Sequence, residues 1–352
     1  MSIAEAGAAV AHRKLYAALV RKKLWFLLGS LAFLVFLFLF DLGTGPSGLR
    51  LSEILSALNP LASCPEGVRV IVLQLRLPVA VMAVMVGASL GTAGSQMQTI
   101  LNNPLASPYT LGVSAAASFG AALEIVTGWL PLPIGRDYAV PLSAFLFSLL
   151  SSLLILVFAK ARRGGSHTLI LAGIALGFLF SSLVSFMEFT AKENQLAVIV
   201  FWMFGSLQGA TWTRALLVGF ILLGVLIFLL AEAWNLTALR LGDAKARSMG
   251  INVGRLRFKV SILIALVTAI PVCFTGTIGF VGLVAPHFAR HFVGEDQRFY
   301  TGASALWGGI LLSFASILSK TLIPGAVFPI GIATTFIGLP FLIAIIMKRR
   351  TS

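Results

Sequence analysis

The strongest constraint in the sequence is a series of long apolar runs carrying few or no charges, the first at 24–40 and the last reaching Met347. Each approaches the ~20 residues that carry a helix across a ~30 Å hydrocarbon layer. Hydrophobic residues make up 58% of the 352 and charged ones 11%, whereas soluble domains carry about 25% charge. A water-soluble core cannot take up that much apolar surface. The expected fold is an all-α polytopic membrane protein with ten transmembrane helices, near 24–40, 79–99, 110–129, 138–158, 168–189, 214–232, 258–274, 279–290, 299–318 and 329–347. The eighth is too short to cross alone. Its irregular flanks survive in lipid only if other helices shield them, which puts 275–290 inside the bundle.

Charge sorting supports this topology, because Lys and Arg favour cytoplasmic loops. With the N-terminus inside, the cytoplasmic segments carry 19 of the 26 basic residues and 5 of the 12 acidic ones, leaving 7 of each outside. The whole net charge of +14 then lies on one side. The domain reading is a cytoplasmic segment 1–23, one transmembrane domain 24–347 with a basic cytoplasmic loop 233–257, and a cytoplasmic tail 348–352. Basic residues divided among short loops between apolar helices are explained by topology, so a nucleic-acid partner is not implied. The basic start followed by 24–40 resembles a signal peptide, but no small-residue cleavage pattern follows, and the even span count needs this helix. Cys64 and Cys273 have no metal-ligand spacing; both fall near the outer side, as unpaired packing residues or as a disulfide.

An internal repeat is legible. Gly94, Pro104 and Gly112 recur as Gly276, Pro286 and Gly294 at an offset of 182 residues, close to half the chain. Five spans per half would set the halves in opposite orientations, the arrangement of transporters whose broken helices meet at the repeat interface. Gly87, Gly91 and Ser95, and likewise Gly173, Gly177, Ser181 and Ser185, have the four-residue spacing that lets helices approach closely.

Several chemistries lack their residues. The dipeptide Gly-Lys of a phosphate-binding loop occurs nowhere, and the glycines of GTIGFVG have the wrong spacing for a dinucleotide fingerprint. Glu124 and Glu188 lie toward outer helix ends, so no span carries the mid-membrane carboxylate that ion-coupled carriers keep. Neither His287 nor His291 has a carboxylate partner in sequence, and no metal site is expected. The chain reads as non-catalytic, with its energy supplied by another subunit.

Six ordered motifs, QLRLP at 74–78, GASLGTAGSQMQTILNNPLASPYTLG at 87–112, LILAGIALG at 169–177, LGDAKARSMG at 241–250, GTIGFVGLVAPHFAR at 276–290 and FPIGIATTFIGLPF at 328–341, resemble the FecCD-type permease family of ABC importers for iron-siderophores, haem and cobalamin. The resemblance covers about 69–347. It implies a homodimer, or a pair with a paralogous permease, of ten-helix subunits in two inverted halves, in the cytoplasmic (inner) membrane of a bacterium or archaeon with both termini inside. It further implies two cytoplasmic ATPase subunits, which bind ATP and Mg while this chain binds no cofactor, and an extracytoplasmic solute-binding protein. By the same resemblance Leu241, Gly242, Asp243, Ala246, Arg247 and Gly250 contact the ATPase. Asn103, Pro104, Leu105, Ser166 and His167 form a cytoplasmic gate. Arg76 and Lys320 dock the binding protein, with Arg50 and Arg69 as substitutes, since Val79 and Ser316 depart from the family pattern. Met85, Ser95 and Met97 are the expected lining of the translocation path. The expected cargo is an iron-siderophore-type chelate, with haem, cobalamin or an oxyanion as alternatives; an ion-coupled secondary transporter is the alternative mechanism.

Overall fold

The computed structural model describes residues 3–45, 48–59, 61–133, 135–161, 166–323 and 326–348, and the described residues form helices and connections without a strand. In chain order the helices are α1 (Ile3–Gly43), α2 (Leu51–Leu58), α3 (Glu66–Val70), α4 (Leu77–Leu101), α5 (Val113–Thr127), α6 (Arg136–Ala161), α7 (Ser166–Thr190), α8 (Glu193–Phe204), α9 (Trp212–Ala231), α10 (Ala233–Leu239), α11 (Asp243–Ser248), α12 (Val253–Thr275), α13 (Val281–Val293), α14 (Gln297–Thr321) and α15 (Ile330–Lys348). A π-helical stretch, Ile71–Arg76, joins α3 to α4, so that 66–101 is continuous.

Each of the ten expected spans falls on a helix, and among the described residues seven helices are long and apolar enough to cross a membrane unaided. The seven are α1, the α3–α4 unit, α6, α7, α9, α12 and α14. The 15-residue α5 and 13-residue α13 are too short, as expected for the eighth span but not for the third. Five helices are additions to the ten: α2 and α3 between α1 and α4, α8, a 12-residue apolar helix in what reads in sequence as a loop, and α10 and α11 within the loop 233–257. The division at 23/24 is not a break, because α1 runs through it. Of the tail 348–352 only Lys348 is described.

The two halves are visible in the element lengths. α4, α5, α6 and α7 have 25, 15, 26 and 25 residues, and α12, α13, α14 and α15 have 23, 13, 25 and 19. Packing follows the same exchange: α4 lies on α14 as α6 lies on α12, and α5 on α6 as α13 on α14. The glycine register of the repeat is different from the sequence expectation. Gly112 precedes α5 at φ 76°, whereas Gly294 follows α13. The residue that stands where Gly112 does, at the positive-φ start of the short helix, is Phe280 at φ 64°. Such a φ is costly for a bulky residue; here the ring is held against Gly338 of α15, where even a methyl group would strike it.

α4 is the pivot of the subunit and is buried almost throughout. Gly87 and Gly91 meet the backbone of Gly308 and Ser304 on α14, and Gly94 meets Gly282 on α13. The small-residue spacing thus serves close helix approach, where no hydrophobic force between helices is available in lipid. α7 is the opposite case: Gly173 and Gly177 pack on Leu111 and Gly112, but Leu171, Phe178, Phe186 and Phe189 are exposed, the last to 87%.

Candidate functional site

Between α4 and α5 the chain runs through the non-helical connection 102–112. The turn is built locally. Asn102 caps α4 in the left-handed conformation (φ 48°, ψ 39°), its N–H reaching the carbonyls of Gln98 and Thr99. The Asn103 side chain accepts the Leu105 N–H at 3.0 Å, and Pro104 supplies a residue that cannot continue the helix. Leu105 is exposed, while Ala106, Ser107 and Leu111 are buried. Asn103 and Pro104 therefore shape the turn that presents Leu105. The side chains of Ser166 and His167, expected beside this turn, lie outside the described residues.

The loop 233–257 folds into α10 and α11. Gly242 (φ 101°) and Gly250 (φ 84°) bracket α11 in conformations that L side chains avoid. Ala246 is fully buried beneath the helix. Asp243 is bound by Arg257 through two bonds of 2.8 and 2.9 Å. Leu241, Arg247 and Gly250 face outward, next to the exposed Met249. Of the six residues implied here, Gly242, Asp243, Ala246 and Gly250 therefore build the hairpin, and Leu241 and Arg247 stand exposed on it.

The expected docking cations are placed differently from the expectation. Arg76 is 7% exposed and donates to the Leu42 and Gly43 carbonyls at 2.8 and 3.3 Å. Lys320 is ion-paired at 2.8 Å with Asp41, which is wholly buried. Ser316, where the family pattern has an acid, donates to the same carboxylate at 3.0 Å. Asp41, from the end of α1, thus supplies the acid missing from α14, and both cations turn inward. Arg69 is partly buried and ties the α2–α3 connection through the Ala62 carbonyl; Arg50 is exposed at the start of α2.

The three path residues are likewise inside the subunit. Ser95 has no exposed surface and donates back to Thr92, Met97 sits in the main apolar core, and Met85 lies against α9 beside Gly219. A half-open groove of about 420 Å³ runs instead between α5 and α7. Its lining includes Tyr109, Ser114, Ser118, Phe178, Ser181 and Glu188. The hydroxyl spacing on α7 was legible as a motif, but only packing shows that its glycine end contacts Leu111 and Gly112, just ahead of α5, while its serine end faces the groove. Cys64 and Cys273 are both free, and among the described residues no group of three or more His, Cys, Asp or Glu is placed to hold a metal.

Comparisons with known proteins agree with this architecture. The model of the FecCD transport family matches residues 33–348. The hemin transport system permease HmuU of Yersinia pestis is 34% identical, covering 79% of this chain and 83% of its own. The vitamin B12 import permease BtuC of Vibrio parahaemolyticus is also 34% identical, covering 83% and 87%. A solved structure described as an inward-facing metal-chelate type ABC transporter superposes with a TM-score of 0.81 at 30% identity, over 92% of this chain and 99% of that one. The ten-span reading, the paired halves and the match over nearly all of the membrane region place this chain in the FecCD transport family, as the non-catalytic membrane permease of an ABC importer whose ATPase is a separate subunit.

Proposed function

We propose that two copies of this chain enclose a passage for a metal chelate between their α7 faces, and that the passage is opened to either side in turn by an ATPase seated on α10 and α11. The observation that carries the reading is the α5–α7 groove. It is lined by hydroxyls, glycine and aromatic rings, with Glu188 as the one carboxylate of its lining, and it is bordered by large exposed apolar side chains. A second copy would complete it. Such a wall passes a bulky solute without gripping it, leaving selectivity to a binding protein that docks on the outer side near Arg50.

An iron-siderophore is the favoured cargo, with haem and cobalamin next; the relatives' named cargoes, hemin and vitamin B12, are both metal-centred macrocycles. The membrane is the cytoplasmic one, with both termini inside. The test is uptake by proteoliposomes. The permease alone should accumulate neither ferric siderophore, haem nor cobalamin, and addition of its ATPase, binding protein and ATP should give concentrative uptake of one of them. Accumulation by the permease alone under an ion gradient would overturn the reading.

A further inference from the structure

The last turn of a helix leaves carbonyl groups without intrahelical partners, and at the end of α4 that of Ile100 is met by an arginine of α12, with a second arginine from the α10–α11 turn beside it. Arg257, in the first turns of α12, donates through Nε to the Ile100 carbonyl at 2.9 Å while both terminal nitrogens hold Asp243 of α11. Arg240, in the turn between α10 and α11, donates to the Asn102 Oδ1 at 2.7 Å and the Gln98 carbonyl at 3.4 Å, and is ion-paired with Glu295. Glu295 also pairs with Arg290, which donates to the Gln98 side chain at 2.8 Å. Both arginine side chains are largely buried, at 13% exposure for Arg240 and 16% for Arg257.

We propose that Arg240 and Arg257 are positioning residues for transport: they clamp the α10–α11 hairpin to the C-terminal end of α4, so that hairpin and gate turn move as one body. The inference rests on the reading of α10–α11 as the ATPase contact. Apolar contacts such as that of Ala246 let two elements slide, but a guanidinium bridging a carboxylate and a helix carbonyl fixes one geometry. The element that the clamp holds ends in Asn102, next to the Asn103–Pro104–Leu105 turn. A displacement of the hairpin is therefore delivered to Leu105 without passing through the rest of the bundle. The opposite charge at Asp243 does not itself reach α4; it orients Arg257 so that Nε does.

The experiment uses the assembled permease, ATPase and binding protein in lipid, with Cys64 and Cys273 replaced by Ala and a spin label at Leu105→Cys in both copies. ATP with vanadate should shift the distance between labels in the otherwise unchanged complex. In the Arg240→Gln/Arg257→Gln variant, ATP hydrolysis should continue, the label shift should vanish, and uptake per ATP should fall by at least about tenfold, the scale of a typical coupling between sites. Arg257→Lys, which keeps the charge beside Asp243 but cannot also reach Ile100, should give a smaller loss of the same kind and decides the matter if the double variant fails to assemble. A retained label shift with normal uptake per ATP, or hydrolysis and uptake falling in proportion, would overturn the clamp. Arg247→Ala separates the two ideas. If it uncouples and the clamp variants do not, the clamp alone fails; if none uncouples, the ATPase-contact reading of 233–257 fails.

Discussion

Replacing Asp41 or Lys320 tests whether these groups are internal or belong to a docking rim. Asp41 has no exposed surface, the Lys320 side chain is 7% exposed, and their 2.8 Å contact is joined by the Ser316 hydroxyl. A buried ion pair adds little net stability because both partners are desolvated, but removing one partner strands the other charge at about 3–5 kcal/mol. Asp41→Leu leaves Lys320 without its carboxylate, and Lys320→Met leaves Asp41 with Ser316 and the nearby Arg76. Each should lower the melting temperature in detergent on the order of 5–10 °C, at about 2 °C per kcal/mol for a chain of this size. The double variant Asp41→Leu/Lys320→Met removes both charges and should recover most of the loss, since a well-packed apolar pair is often neutral in place of an ion pair. Scanning fluorimetry on the four proteins gives the coupling directly. If Lys320→Met melts like the unchanged protein but binds the solute-binding protein more weakly, Lys320 acts as a rim cation and the argument from burial is wrong. If the double variant is as unstable as either single one, the loss comes from packing and not from charge.

Three further outcomes are expected. Gly94→Leu drives a side chain into the Gly282 backbone, an overpacking that costs about 1–3 kcal/mol or more, so folded yield and melting temperature should fall, whereas Gly224→Leu, with open space around it, should change neither. Ser181→Trp should fill the α5–α7 groove and abolish uptake while the ATPase partner still hydrolyses ATP; uptake at the original rate would remove the groove from the path. Asp296, which caps α14, is held below its ordinary value of 3.8 by the hydrogen bond from the Arg298 side chain. Its folded value is lower than its unfolded one, so its contribution is present above the unfolded value and lost as pH falls through the folded one. Acidification from pH 5 should therefore lower the melting temperature less in Asp296→Asn than in the unchanged protein.

The membrane class and the positions of the helices were legible because composition and run length are local properties, and lipid leaves helices few alternatives. α8 was missed because 12 residues with charges at its start are too short to register as a span, and it is stabilised by contacts such as that of Gln195 with the Ile125 carbonyl at the end of α5. The repeat was legible as an idea but not in register. Glycines mark turns and close approaches alike, and Phe280 occupies a glycine-like conformation through a contact with Gly338 that is 58 residues away in sequence.

By itself the sequence determined an all-helical membrane protein and a glycine spacing suited to close packing. Only the tertiary structure decided which face of each helix is occupied. α4 carries the densest motif and becomes the buried pivot, so Ser95 and Met97 are core; α7 carries a similar motif and leaves its serines to a groove. The same holds for charge: Arg76 and Lys320 read as rim cations until the end of α1, more than thirty residues earlier than Arg76, is brought against them, its Leu42 carbonyl taking Arg76 and its Asp41 carboxylate taking Lys320. Periodicity gives the residues of a face, but burial depends on what long-range contacts place against it.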